Sequence, residues 1–271
     1  MTTVGFCLST WNWLKPLGAE ARLLPALEEA AAGGFGVELW LDWTPEPQLF
    51  ERGRWPELKR ACRETPGLSL HSRLIHQFDP ATIREEIDLA AFLGADPLVV
   101  HPRSLGLESG TWDASMLRPI GSCELEVIAG ILSYAGERSV RLALENGAMD
   151  ALQAVTDAFP ADDADGTGGP LGICIDVGHA NLHCGLFADP AAEYLRAFAG
   201  RLVHLHVSDN SGAGDEHLVP GTGNIDWRSV TAALRRIPSR GNIVLELAEA
   251  GPAEAARRAA GVLDAVGLGA G

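Results

Sequence analysis

At 271 residues, 46% of them hydrophobic and 21% charged, the chain can bury a full core, and because α/β barrels reach this size as one unit the length does not demand two domains. A formal net charge of -15 argues against broad, non-specific attraction to nucleic acid phosphates or anionic membranes, though not against a local metal-lined site. The five cysteines are scattered without a CxxC pair, the start MTTVGFCLST lacks the basic region and apolar run of a secretory signal, and no apolar run approaches the ~18 residues of a membrane span, which together predict a cytoplasmic protein with reduced thiols.

Short apolar runs alternate with amphipathic stretches along the chain. Strands are predicted at 4–9, 35–41, 68–72, 97–101, 140–145, 171–176, 202–207 and 242–247. Helices are predicted at 19–32, 55–64, 79–94, 116–135, 150–159, 190–199, 226–236 and 252–266. The clearest is 79–94, where Asp79 can cap, Pro80 takes the first helical position, Ile83, Ile87 and Ala90 recur at helical spacing and Gly94 follows the end. Strands this apolar are covered on both faces, so strand-then-helix units repeated eight times predict an α/β fold, a single (β/α)8 TIM barrel over residues 1–271. An open doubly wound sheet is the alternative, but the first strand is not followed by a GxGxxG turn. The acidic, glycine-rich segment 161–170 reads as a solvated turn.

In such a barrel the strand C-termini converge on one mouth, where catalytic groups come from several strands. The polar residues expected there are His71 after the third strand, His101 after the fourth, Glu145 and then Asn146 after the fifth, and Asp176 with His179 after the sixth. The stretch 202–227 supplies His206, then Asp215 and His217 on a glycine-rich loop, and the eighth strand carries Glu246. Taken singly, His71 or His101 reads as a core histidine satisfied by a backbone carbonyl. Glu145 and Glu246 sit among Val, Leu and Ala, where a carboxylate is costly unless paired or bound to a cation, and Arg73 and Arg103 are the main candidates for a salt bridge. Nine imidazole and carboxylate ligands at the same end of six consecutive strands instead predict a divalent-metal site.

With GFGVELW, ALENG, CIDVGHAN, HLHVSD, DEHLVPGTGNIDW and VLEL, nearly the whole chain resembles the xylose isomerase-like barrels, which include sugar phosphate isomerases and epimerases, ketose epimerases of the tagatose type, hydroxypyruvate isomerase, inosose dehydratase and endonuclease IV. The isomerase and epimerase branch implies one metal held by Glu145, Asp176, His206 and Glu246. There Glu145 and Glu246 would exchange a proton with opposite faces of the carbon next to a carbonyl, and His179 would bind a substrate oxygen. The endonuclease branch implies three zinc ions, adding His71 and His101 beside Glu145 and a third site of His179, Asp215 and His217. The segments GFGVELW and PGTGNIDW read like the sugar branch. So does Ser72-Arg73-Leu74 after His71, which lacks the Pro and DNA-inserting Tyr of the endonuclease.

The expectation is a metal-dependent isomerase or epimerase of carbohydrate metabolism acting on a small sugar or sugar phosphate. It uses one ion of Mn, Zn, Co or Mg, with up to three allowed, and has no membrane partner, no expected nucleic acid partner and an open question of homo-oligomer formation. Its alternatives are a multi-zinc phosphodiesterase or AP endonuclease, a dehydratase on the same metal site, and a non-catalytic binding barrel. Trp11, Trp13, Trp40 and Arg103 are the candidate substrate-binding residues, with Trp43 nearby, since indole faces stack on the apolar face of a sugar ring. The glycines of PGTG either let backbone N–H groups approach a phosphate or shape the turn before the helix that Asp226 caps.

Overall fold

The structure, a computed structural model, describes residues 5–107, 121–160, 169–183, 185, 187–237 and 241–268. The first residue of the predicted strand at 4–9, the start of the predicted helix at 116–135, most of the loop at 161–170, and Cys184 lie outside the described residues. In chain order the strands and α-helices are β1 Phe6–Ser9, α1 Trp11–Leu17, α2 Leu23–Ala32, β2 Gly36–Trp40, α3 Trp55–Ala61, β3 Leu68–His71, α4 Pro80–Leu93, β4 Leu98–Val100, α5 Ser122–Gly136, β5 Leu142–Glu145, α6 Met149–Ala158, β6 Leu171–Asp176, α7 Val177–Asn181, α8 Pro190–Ala197, β7 Leu202–Val207, α9 Trp227–Leu234, β8 Asn242–Leu245 and α10 Pro252–Ala265. All strand pairs are parallel, and β1 pairs with β8 to close the predicted barrel.

Alternation along each strand decides what faces where. Leu8, Val37, Leu39, Leu70, Leu98, Val100, Leu142, Leu144, Ile175 and Leu205 join the apolar layer between sheet and helices. The intervening residues point into the barrel. Val99, Ala143 and Cys174 belong to a small separate apolar cluster, while Ser9, Glu38, Ser69, His71, Glu145, Asp176, His204 and His206 are buried and polar. Burying that many polar groups is unfavourable unless each finds a partner.

Helix α4 forms for the reasons its sequence gives. The Asp79 carboxylate accepts from the N–H groups of Ala81 (3.1 Å) and Thr82 (3.3 Å), Ile83, Ile87 and Ala90 are buried, and Gly94 ends the helix in the left-handed region at φ 78°. Two helices were not expected. In α1, Asn12 clips the helix to β8, its Nδ2 donating to Leu245 O and its Oδ1 accepting from Leu247 N–H, both at 2.9 Å. Strand β8 ends at Leu245, and Glu246 lies just beyond it, its N–H still donating to Val207 O of β7 at 3.1 Å. The helix predicted from 19 begins at Leu23, because Gly18–Glu20 forms a separate 3-10 turn. The other unexpected helix, α7, is five residues long and starts directly from β6.

Cys7, Cys62 and Cys174 are buried free thiols and Cys123 is an exposed one. No helix of the described residues is long and apolar enough to cross a membrane.

Replacing Asp79 with Ala removes the α4 cap and should cost about 1 kcal/mol of stability in urea denaturation. An unchanged denaturation midpoint would contradict this reading of the helix start.

Candidate metal centre

The strand register sets the ring of polar residues at the barrel mouth. Trp40 pairs with His71 across β2 and β3, Glu145 with Cys174 across β5 and β6, and Asp176 with His206 across β6 and β7. His101 and Glu246 follow β4 and β8 by one residue.

Glu145 is the hub. Its Oε2 lies 3.2 Å from His71 Nε2, 3.3 Å from His101 Nε2 and 3.5 Å from His206 Nδ1, while its Oε1 lies 2.8 Å from His179 Nδ1. Burial alone would push its carboxyl up, but His101 and His206 hold it well below the usual carboxylate range. At Glu246 burial prevails over His206 and His217, and its carboxyl is pushed up. Burial also opposes protonation of His179, yet Asp176, Asp215 and Glu145 hold its pKa well above the usual imidazole value.

Among the described residues no arginine pairs with these glutamates. Arg73 Nε donates instead to buried Glu86 on α4 at 3.0 Å, and Ser72 Oγ donates to the same carboxylate at 2.6 Å. Among the described residues, the ion pairs of Glu145 and Glu246 are with histidines. His71 does bond a backbone carbonyl, Ser72 O at 3.0 Å from Nδ1, but this aims its Nε2 at Glu145.

Asp176 is fixed from both sides. Its Oδ1 accepts from His179 N–H at 2.7 Å, capping α7, and its backbone is clamped by Asn146, whose Oδ1 accepts from Asp176 N–H and whose Nδ2 donates to Asp176 O. That leaves Asp176 Oδ2 aimed inward, 3.9 Å from His206 Nδ1. Glu246 Oε2 lies at the same distance from that nitrogen. Asp176 Oδ2, His206 Nδ1 and Glu246 Oε1 are buried without a hydrogen-bond partner, and the three side chains bring ligand atoms within 4.8 Å of one another. Orphaned buried acceptors of this kind are costly, and two carboxylates with an imidazole suit a divalent cation in both charge and donor type. Glu145 lies close enough to complete the expected ligand set.

Two further groups adjoin the first. His71, His101 and Glu145 form one, and His179, Asp215 and His217 form the other, with Asp215 Oδ2 at 3.5 Å from His179 Nε2 and 3.0 Å from His217 Nε2. All nine predicted ligands are thus gathered at one mouth.

The loop that delivers Asp215 and His217 is organised by buried Asp209. Asp209 and Leu218 exchange two backbone hydrogen bonds of 2.8 Å. The Asp209 carboxylate accepts from the N–H groups of Asn210, Gly221 and Ile225 and from the Trp227 indole. A Cβ at Gly223 would collide with that carboxylate and with Asn210 O, so the glycine permits a close approach. The Gly221 and Thr222 N–H groups are donated to Asp209 and Val219, which favours the turn-shaping reading of PGTG over a phosphate cradle. Asp226 caps α9 as expected, accepting from Arg228 and Ser229 N–H. His217 itself sits at φ 49°, a strained backbone position for a non-glycine residue, held by the loop and by its carbonyl accepting from Ala248 N–H.

The tryptophans divide. Trp40 packs on His71 with ring centroids 4.1 Å apart and Trp11 on His217 at 4.4 Å, so both flank the ligand cluster. Trp13 departs from expectation: it is buried in the core and its indole N–H donates to Glu29 of α2 at 2.8 Å, because helix α1 turns its side chain toward the outer layer. Trp43 is likewise a core residue. Arg103 lies half-buried in the turn Pro102–Leu105 directly after His101.

Glu38 and His204 lie outside the expected set. Both are fully buried, His204 Nε2 lying 2.7 Å from Glu38 Oε2 and His206 Nε2 lying 3.0 Å from Glu38 Oε1. The sequence does carry a signal for them, since Glu38 is an acid inside the apolar run Val-Glu-Leu, as Glu145 is inside its own strand.

Residues 26–266 match the sequence profile of the xylose isomerase-like TIM barrel family. A protein of Methanocaldococcus jannaschii is 31% identical over 172 residues, covering 60% of this chain and 55% of that protein. The chain spans about half the length of the first curated relatives it matches. A D-tagatose 3-epimerase-like protein superposes with a TM-score of 0.69 at 21% identity, over 96% of this chain and 98% of its own. The TTHB071 protein of Thermus thermophilus, soaked with zinc chloride, superposes with a TM-score of 0.67 at 25% identity over 98% of both chains.

Replacing Asp209 with Ala strands several buried donors, so amide hydrogen exchange over residues 210–225 should quicken by at least about tenfold, the equivalent of ~1.4 kcal/mol, while β5 and β6 keep their protection. Unchanged loop exchange would contradict the role given to Asp209.

Proposed function

We propose, from the premise that this chain belongs to the xylose isomerase-like TIM barrel family, that it is a divalent-metal-dependent isomerase or epimerase of a small polyhydroxylated carbonyl compound, a sugar or sugar phosphate. The observation that carries the reading is the set of unpartnered buried atoms Asp176 Oδ2, His206 Nδ1 and Glu246 Oε1, with Glu145 beside them. A divalent cation held by these four residues would polarise a carbonyl and acidify the neighbouring C–H.

The remaining chemistry falls to the side chains. Glu145 at the end of β5 and Glu246 just past β8 reach the same edge of His206, at 3.5 and 3.9 Å from Nδ1. One carboxylate takes the proton from the carbon next to the carbonyl, and the other, protonated, returns a proton to the opposite face or to the adjacent atom. The first outcome is epimerisation and the second isomerisation. His179 would bind a substrate oxygen, as the family resemblance implies, and Trp11 and Trp40, packed on His217 and His71, offer apolar faces to a sugar ring. Arg103, one turn from His101, is the candidate contact for an anionic substrate group.

A second reading has its own support. The groups His71/His101/Glu145 and His179/Asp215/His217 adjoin the first, and clusters of two or three metals suit phosphodiester cleavage. Metal content per purified chain separates the readings: one tightly held ion accords with the first, two or three zincs with the second.

In deuterated water, the metal-loaded protein should incorporate deuterium next to the carbonyl of at least one ketose in a panel running from trioses to hexoses. Chelation should abolish this. Glu145→Gln and Glu246→Gln should each lower the rate by at least about 100-fold, the low end of what a positioned acid or base contributes, without loss of fold. No incorporation into any member of the panel, or full activity of either variant, would remove the proposal.

A further inference from the structure

Beneath the proposed cation site lies a buried carboxylate that the reaction above does not use. Glu38 points into the barrel from β2, level with Ser69 of β3, and is fully buried. Ser69 Oγ donates to its Oε2 at 2.9 Å, and His204 Nε2 lies 2.7 Å from the same oxygen. The other oxygen, Oε1, lies 3.0 Å from His206 Nε2, off the line of an ideal hydrogen bond. Its ion pairs among the described residues are with these two histidines. A fully buried carboxylate without a lysine or arginine is unfavourable, so an apolar core residue of similar volume would fold more readily here.

His206 explains what the carboxylate does. The ring has two nitrogens, and a neutral imidazole carries one proton. Nε2 faces Glu38, whereas Nδ1 faces the mouth, 3.5 Å from Glu145, 3.9 Å from Asp176 and 3.9 Å from Glu246. A proton held on Nε2 toward Glu38 leaves the Nδ1 lone pair directed at the three carboxylates. Glu38, His204 and His206 are also spaced so that they could ligate an ion themselves. The 2.7 Å between Glu38 Oε2 and His204 Nε2 is, however, shorter than the roughly 3.3 Å between two ligands of a tetrahedral ion bonded at about 2.0–2.1 Å. That spacing fits a hydrogen bond.

We infer that Glu38 is a positioning residue for the metal centre. It fixes the orientation and tautomer of His206 through Nε2, with Ser69 and His204 anchoring its second oxygen, so that Nδ1 is presented to a divalent cation. This rests on the cation site proposed above, and the experiment keeps the two apart.

Metal-free wild-type and Glu38→Gln proteins would be titrated with zinc ion against a competing chelator, with circular dichroism confirming the fold. Wild type should bind zinc, and the variant should bind about 10- to 100-fold more weakly, the usual effect of removing a ligand's carboxylate partner. Equal affinities would overturn the role of Glu38 while leaving the cation site standing. A wild type that binds no zinc would overturn both. Should Glu38→Gln not fold, 15N NMR of the zinc-loaded wild type decides the matter: the His206 ring should carry its proton on Nε2, and a proton on Nδ1 would overturn the inference.

Discussion

The mouth of this barrel concentrates negative charge that, among the described residues, is paired with histidines alone. Glu145, Asp176, Asp215 and Glu246 converge there, with Glu38 one layer below, among six histidines, and among the described residues their ion pairs run to imidazole, not to lysine or arginine. Imidazole is the partner that can give up its proton when a metal arrives, and metal binding of this kind releases protons. A lysine or arginine would settle the charge permanently and leave nothing for a cation to do. The rest of the structure follows from holding these groups in place: parallel register lines up the strand ends, Asn146 clamps Asp176, Asn12 ties the first helix to the last strand, and Asp209 folds the loop that carries Asp215 and His217.

Much of this was legible in the sequence, and for identifiable reasons. The eight-unit rhythm and the ends of α4 follow from short-range signals, apolar periodicity and the Asp79, Pro80 and Gly94 punctuation. The nine candidate ligands were visible because a carboxylate or imidazole at the end of an apolar strand is conspicuous. Glu38 and His204 carry the same mark one layer deeper, but they sit mid-strand, where attention to strand ends does not reach. Helix α7 was invisible because five residues give no amphipathic period, and its start depends on Asp176 capping a turn that only the fold creates. Trp13 illustrates the opposite failure. Proximity in sequence to Trp11 suggested a shared role, but a helix sends residues two apart to different faces, and Trp13 went to the core.

The polar interior has a stability cost that the outer apolar layer offsets. Leucine, isoleucine and valine on the helix-facing side of the strands carry the fold, which frees the inward positions for chemistry. That division allows one scaffold to host different reactions. In this chain the ligand cluster is large enough to suit either proton transfer around one cation or phosphodiester chemistry around several. Trp11 and Trp40, packed beside His217 and His71, accord with the former reading.

The most direct measurement is anomalous diffraction at the zinc absorption edge from crystals of the full chain grown with zinc. The account predicts a peak about 2.0–2.2 Å from His206 Nδ1 and from carboxylate oxygens of Asp176, Glu145 and Glu246. Well-ordered density for these side chains with no peak between them, or zinc bound through His206 Nε2, would contradict it.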